Sequence, residues 1–326
     1  MAFLALGSFL SGNNMKAVWQ YFKDFHKEVI HPPMMYLLIS LFIAILTAMN
    51  YLLLDIRFEK WMYQLKPIEW TYLAHFVLFG FIYFGIIYIC YRYKTIPNLF
   101  KNKAFMVKSL IMLLILTLDV CFHYHTFLIR NLFEFQDRFF MYKVSNQITS
   151  LFIILLPLFF YYRKYEKDNT NFYGLNTSVK KIGQYMPLIL IMIPLIGIAS
   201  FEENIRDFYP QFSSKLEFMN WSVELRAIVF EFFYAFDFLT TEFLFRGFMV
   251  LGFVAFLGPR AVLPMVGLYV ALHFGKPAGE TIGSFFGGYI LGVLTYQSKN
   301  IWGGIVVHIG IALLMELAAW MQNTFN

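Results

Sequence analysis

Charge is scarce in this chain. Only 14% of its 326 residues are Asp, Glu, Lys or Arg, against about 25% in an ordinary soluble domain. Cysteine is nearly absent too. Cys90 and Cys121 both sit inside apolar runs, which argues against a disulfide framework and against a thiolate metal site. No long polar linker, low-complexity tract or internal repeat interrupts the sequence, so no soluble domain is expected. Residues Met1 to Asn14 lack a basic leader and an A-x-A cleavage site, and read as an interfacial segment rather than a signal peptide.

What is present is apolar and aromatic. Hydrophobic residues make up 59%, aromatic residues 21%, with 40 Phe and 21 Tyr, and mean hydropathy is +0.60. A chain of this kind has too little polar surface to face water, so lipid is its solvent and the expected fold is an all-α, polytopic transmembrane bundle. The net charge of +6 does not point to nucleic acid. Its basic residues are scattered through short loops, without a basic stripe carrying stacking aromatics.

A helix needs about 20 mainly apolar residues to cross a bilayer. That measure predicts about nine spans. Five lie near Met34–Leu54, Thr71–Tyr91, Ala104–His123, Ile148–Tyr162 and Gln184–Ser200. Four follow near Ala227–Phe253, Val262–His273, Ile282–Tyr296 and Ile301–Trp320. Val262–His273 is short, and is expected to be tilted or to end inside the membrane at a cavity. With the N-terminus in the cytoplasm, the inner loops hold 14 Lys and Arg, from Lys16 to Lys299, and the outer loops 10, from Arg57 to Lys276. The outer loop around Glu202, Glu203, Asp207 and Glu217 is acidic. Positive-inside bias therefore favours a cytoplasmic N-terminus.

Two regions differ in character. Residues 1–173 form an expected N-terminal region of about four helices, rich in Phe, Leu, Ile and Tyr. Residues 174–326 are richer in glycine, notably Gly283-x-x-x-Gly287 and Gly288-x-x-x-Gly292, a spacing that lets helices pack closely in lipid. The polar stretch from Lys164 to Asn171 is the candidate boundary.

Ionisable groups within lipid-spanning helices cost at least about 2.5–3.5 kcal/mol near the centre, so each needs a partner or a task. Four stand out in the second region: Glu242, Arg246, His273 and His308. Glu242 and Arg246 are four apart and share a helix face; on their own they read as a structural ion pair. Glu231 and Asp237 on the same span exceed what pairing requires and point to a polar, water-filled cavity. A lone membrane histidine is commonly an interhelical hydrogen bonder. Two of them on late spans beside a carboxylate helix are what a water-activating hydrolytic site needs, with or without a metal. His123 and His125, at a span end, read as interfacial.

These residues resemble the intramembrane proteases of the CAAX-protease and bacteriocin-processing (CPBP, or Abi) type. The family pattern is Glu-Glu-x-x-x-Arg, then Phe-x-x-x-His, then His-x-x-x-Asn, on successive helices. Here Thr241-Glu242-Phe243-Leu244-Phe245-Arg246-Gly247 stands at the first motif, Tyr269-Val270-Ala271-Leu272-His273 at the second and His308-Ile309-Gly310-Ile311-Ala312 at the third. The resemblance runs from about Gly174 to Trp320 and leaves the first four spans unaccounted for.

It implies an intramembrane endopeptidase acting on a peptide or membrane-protein substrate, in a bacterial plasma membrane. Glu242, His273, His308 and Arg246 would be its catalytic residues. The first three would serve as Zn²⁺ ligands if a metal is used; a metal-free, glutamate-activated hydrolysis is the alternative. Besides Tyr269, which stands for the Phe of the second motif, two positions depart from the pattern. Thr241 replaces the glutamate thought to activate water, and Ala312 the asparagine that helps hold the oxyanion. Either Glu242 or a relocated carboxylate (Asp237, Glu280 or Glu316) then acts as base, or the protein is an inactive scaffold or immunity-type binder of peptides. A transporter, whose inverted repeats are not apparent, is the third reading.

Overall fold

The computed structural model describes residues 12–28, 32–53, 58–168, 171–175 and 179–325. Every regular element among them is helical. Inside lipid each backbone N–H and C=O must be satisfied within its own segment, and helices do this. The N-terminal part contains α1 (Gly12–Glu28), α2 (Pro33–Ala48), α3 (Phe58–Tyr63), α4 (Glu69–Arg92), α5 (Lys103–Cys121), α6 (His125–Leu132), α7 (Phe135–Ser150) and α8 (Leu156–Tyr165). The C-terminal part contains α9 (Met186–Ala199), α10 (Glu203–Phe208), α11 (Val223–Glu242), α12 (Val254–Leu257), α13 (Val262–Leu272), α14 (Ala278–Ser298) and α15 (Trp302–Phe325). Local signals start several of them. Proline opens α2, where its missing N–H was unpaired anyway. The Asn102 and Ser222 side chains cap α5 and α11, accepting from Phe105 N and Leu225 N. The interfacial reading of Met1 to Asn14 falls outside the described residues up to position 11.

Seven helices among the described residues are long and apolar enough to cross a membrane, and their outward faces carry exposed Leu37, Phe81, Phe160, Ile198, Phe232 and Leu317. The protein is an integral membrane protein. Seven differs from the nine expected for two reasons. The spans near Ala227–Phe253 and Val262–His273 fall in one helical stretch, Val223–Leu272. The span near Ile282–Tyr296 belongs to α14, whose Gly, Ser, Thr and Glu residues lower its apolarity. Even so, α14 runs the length of α2: its Thr281 hydroxyl pairs with Tyr51 beyond one end of α2, and its Tyr296 hydroxyl donates to Glu28 ahead of the other.

The chain reverses within Val223–Leu272. After α11 comes a π-helix, Phe243–Val250, with all eight residues buried. Gly258 then takes φ +55°, a conformation open mainly to glycine, and α13 returns so that Tyr269 meets Phe245, their rings 5.3 Å apart. α13 is buried along ten of its eleven residues. On one side it meets α4, where a Cβ on Gly267 would lie 2.4 Å from Ile86 Cδ1. On the other side Gly288 and Gly292 admit Tyr269, Met265 and Val262. The paired glycine motifs therefore divide: Gly288 and Gly292 make the close helix contact, while Gly283 and Gly287 face open space. One hydrophobic core runs from Phe25 to Ile305 without a break at residue 173.

Counting loops leaves two basic residues inside spans: Arg246 and Lys108. Both are buried. Lys108 was not singled out from the sequence, although a lysine in the apolar run of α5 carries the signal. It forms an ion pair with Glu166, donates to the Gly252 carbonyl, and lies between the rings of Phe248 and Phe253, each centred 5.1 Å away. α5 is thereby tied to the turn that follows the π-helix.

Candidate functional site

Glu242 ends α11 and Arg246 lies in the π-helix; neither is exposed. Arg246 Nη1 is 2.9 Å from Glu242 Oε1. From α15, His308 Nδ1 reaches the same oxygen at 2.9 Å. A carboxylate beside arginine accepts only, so His308 carries its proton on Nδ1 and presents Nε2 as an acceptor. The Tyr269 hydroxyl on α13 donates to that nitrogen at 3.2 Å. The Arg246 guanidinium stacks over the Tyr269 ring, 4.1 Å from its centre, and closes the circuit. Glycine makes room for it: a Cβ on Gly304 would lie 2.5 Å from Glu242 Oε2.

His273 caps the C-terminus of α13. Its Nδ1–H donates to the Tyr269 carbonyl at 2.7 Å, and its ring stands edge-on to Tyr269, centres 4.6 Å apart. Both expected histidines thus flank one tyrosine. His273 Nε2 points toward Glu280 Oε1, 3.9 Å away. Glu280 is held by Lys276 Nζ at 2.6 Å and by the Tyr209 hydroxyl, which donates to Oε2 at 3.0 Å. Burial, and next the Glu280 carboxylate, push the Tyr209 hydroxyl well above its ordinary pKa, so it stays a donor.

The turn carrying His273 is pinned from the N-terminal part. Asn50 donates to the Phe274 carbonyl at 2.9 Å and Tyr51 to the Lys276 carbonyl at 2.6 Å, while Thr281 donates to the His273 carbonyl at 2.5 Å. Of the residues marked in the sequence, Glu242, Arg246, His273 and His308 come together. Tyr269, Glu280, Tyr209 and Gly304 join them. The sequence showed Tyr269 only as a departure from a motif, Glu280 as one of three spare carboxylates, and gave no sign of Tyr209 or Gly304.

The other carboxylates have different surroundings. Asp237 accepts from the Thr240 hydroxyl at 3.2 Å and borders a cavity of about 620 Å³ that His123, His125, Gln147 and Tyr234 also line. His123 and His125 lie at that cavity. Glu316 accepts from the backbone N–H groups of Gln211 and Phe212. A larger cavity of about 890 Å³, bordered by Glu166, Asn171 and Lys299, lies away from the histidines.

A zinc site built from Glu242, His273 and His308 does not fit this arrangement. Among the described residues no three His, Cys, Asp or Glu side chains come together as a metal-binding group. Glu242 Oε1 is shared by Arg246 and His308, and both nitrogens of His308 are engaged. A ligating histidine keeps one nitrogen for the metal.

The fold and this cluster define a polytopic helical membrane protein with a buried carboxylate, arginine and histidine centre on three helices. Residues 220–314 match the family model for Rce1-like proteins, type II CAAX prenyl endopeptidases, so the C-terminal half carries a CAAX-protease-like domain of the CPBP family. The match spans all three motifs and begins later than the Gly174 suggested by resemblance. No curated protein and no solved structure matches the chain.

Proposed function

We propose that this protein is an intramembrane endopeptidase of the CAAX-protease type, hydrolysing a peptide bond in a peptide or membrane-protein substrate. The observation that carries the reading is the buried chain Arg246–Glu242–His308–Tyr269. Arg246 neutralises Glu242, Glu242 fixes the tautomer and orientation of His308, and His308 presents its second nitrogen beside a hydroxyl. An imidazole held in place by a buried carboxylate recurs in hydrolytic sites. A structural lock needs only the ion pair, whereas two further imidazoles desolvated around one tyrosine exceed it.

In this reading water attacks the scissile carbonyl carbon, a proton passes to a base, and the same proton reaches the leaving amine as the C–N bond breaks. The Arg246 guanidinium is the donor this cluster offers to negative charge developing on the carbonyl oxygen. The chemistry runs without metal, as the donor geometry supports. The 14 to 10 bias of loop Lys and Arg supports a cytoplasmic N-terminus, and residues 174–326 are the catalytic region, braced by residues 1–173.

A second reading, a catalytically inactive scaffold that binds peptides, draws on Thr241 and Ala312, the two motif positions without their polar group. Incubating the purified chain in lipid nanodiscs with a quenched-fluorescence peptide library separates the two. Cleavage lost on His308→Ala supports proteolysis, and peptide binding without cleavage supports the scaffold.

A further inference from the structure

We propose that Glu280 is the general base that activates the attacking water, with His273 as the second group holding that water. This rests on the proteolytic reading above. The position where the family carries its first glutamate is Thr241 here, so the proton must go elsewhere. The sequence marks four carboxylates for that role. Glu242 Oε1 is engaged by Arg246 and His308, and its Oε2 is closed in against Gly304, fully buried. Glu316 accepts two backbone N–H groups, and Asp237 accepts a hydroxyl of its own helix. Glu280 alone among them faces a histidine nitrogen that is not already paired in the geometry described.

The facing atoms decide the chemistry. His273 donates Nδ1–H to the Tyr269 carbonyl, so its Nε2 is an acceptor. Glu280 Oε1, 3.9 Å away, is an acceptor too. Two acceptors at that distance do not bond each other. A water molecule donating one O–H to each satisfies both, and its lone pairs then point away from both toward a substrate.

The pair is also preorganised. Tyr209 and Lys276 fix the carboxylate, while Thr281, Asn50 and Tyr51 fix the turn between the two groups. Rigid support of this kind is what a reacting geometry requires. In the step, the water O–H bond to Glu280 breaks as its oxygen bonds the carbonyl carbon. Glu280 takes the proton, then gives it to the amide nitrogen as the C–N bond breaks, and is regenerated as carboxylate.

The test uses the full chain in nanodiscs with a cleaved library peptide. Glu280→Gln is expected to lower kcat by at least about 100-fold with KM little changed, the loss typical of a general base. Lys276→Met keeps the carboxylate, with Tyr209 still holding Oε2, and is expected to lose clearly less than Glu280→Gln. Added formate is expected to restore part of the rate of Glu280→Ala, which a merely structural role would not allow. Glu280→Gln within about threefold of wild type overturns the assignment. Equal losses in Glu280→Gln and Lys276→Met, or no formate rescue, also overturn it, since each marks the ion pair as a brace. Wild-type protein that cleaves nothing overturns the proteolytic reading itself.

Discussion

Glu242 and Arg246 show how much depends on single residues at this centre. Removing one partner of a buried ion pair leaves the other uncompensated, at about 3–5 kcal/mol. Glu242→Gln should therefore lower the thermal unfolding midpoint in detergent as well as abolish cleavage. An unchanged midpoint would mean Arg246 finds another partner. Gly304→Ala isolates geometry from charge. Its new Cβ would lie 2.5 Å from Glu242 Oε2, the tip of a side chain, so the carboxylate must rotate while the backbone holds. We expect kcat to fall by about tenfold or more, since misplacing reacting groups by about 1 Å has cost 10²-fold, with the unfolding midpoint nearly unchanged. Glu242, Arg246, His273 and His308 were legible in the sequence because ionisable groups in apolar runs stand out. Gly304 and Tyr209 were not, because their roles arise only when α15 and the turn after α10 approach α11 and α14.

At the scale of elements, the N-terminal helices brace the site. Asn50 and Tyr51, at the end of α2, hold the turn bearing His273 and Glu280. Tyr51→Phe removes one donor from those carbonyls, and we expect a kcat several-fold lower with the midpoint shifted little; a kcat equal to wild type would show the turn to be self-supporting. Lys108 is a second brace, between α5 and the turn that follows the π-helix. Lys108→Ala leaves the Gly252 carbonyl without its donor and Glu166 with Tyr173, and is expected to destabilise by about 1–3 kcal/mol, read as a lower unfolding midpoint. Hydropathy gave the apolar runs but not their ends. It placed two spans in Val223–Leu272, and the chain does reverse there at Gly258, although helical turns bridge the two passes without a long loop. The expected span near Ile282–Tyr296 is met by α14, of whose glycines Gly288 and Gly292 contact α13.

For the whole molecule, the positive-inside count and the paired ends make one arrangement. Tyr51, Lys276, Glu280 and Tyr209 gather at one end, and Lys108 with Glu166 toward the other. Cysteine-accessibility labelling at Asn171 and Ser213, which flank the span Ile182–Ala199, should find them on opposite faces, with Asn171 on the cytoplasmic one. Labelling from the same face would break the proposed topology. The motif order identified the C-terminal half from sequence, because three spaced motifs on apolar helices are specific. The joining of both halves into one core was not legible, since contacts such as Gly267 with Ile86 link residues far apart in the chain. The central claim is hydrolysis at the Arg246–Glu242–His308–Tyr269 cluster, and the most direct measurement is peptide-library cleavage by the purified full chain, with and without EDTA, beside His308→Ala. Cleavage by the wild type that EDTA leaves unchanged is expected, with a loss of about 10²-fold in His308→Ala, because Glu242 and Tyr269 lose the partner that positions them; no cleavage by the wild type, or full cleavage by His308→Ala, would contradict hydrolysis at this cluster.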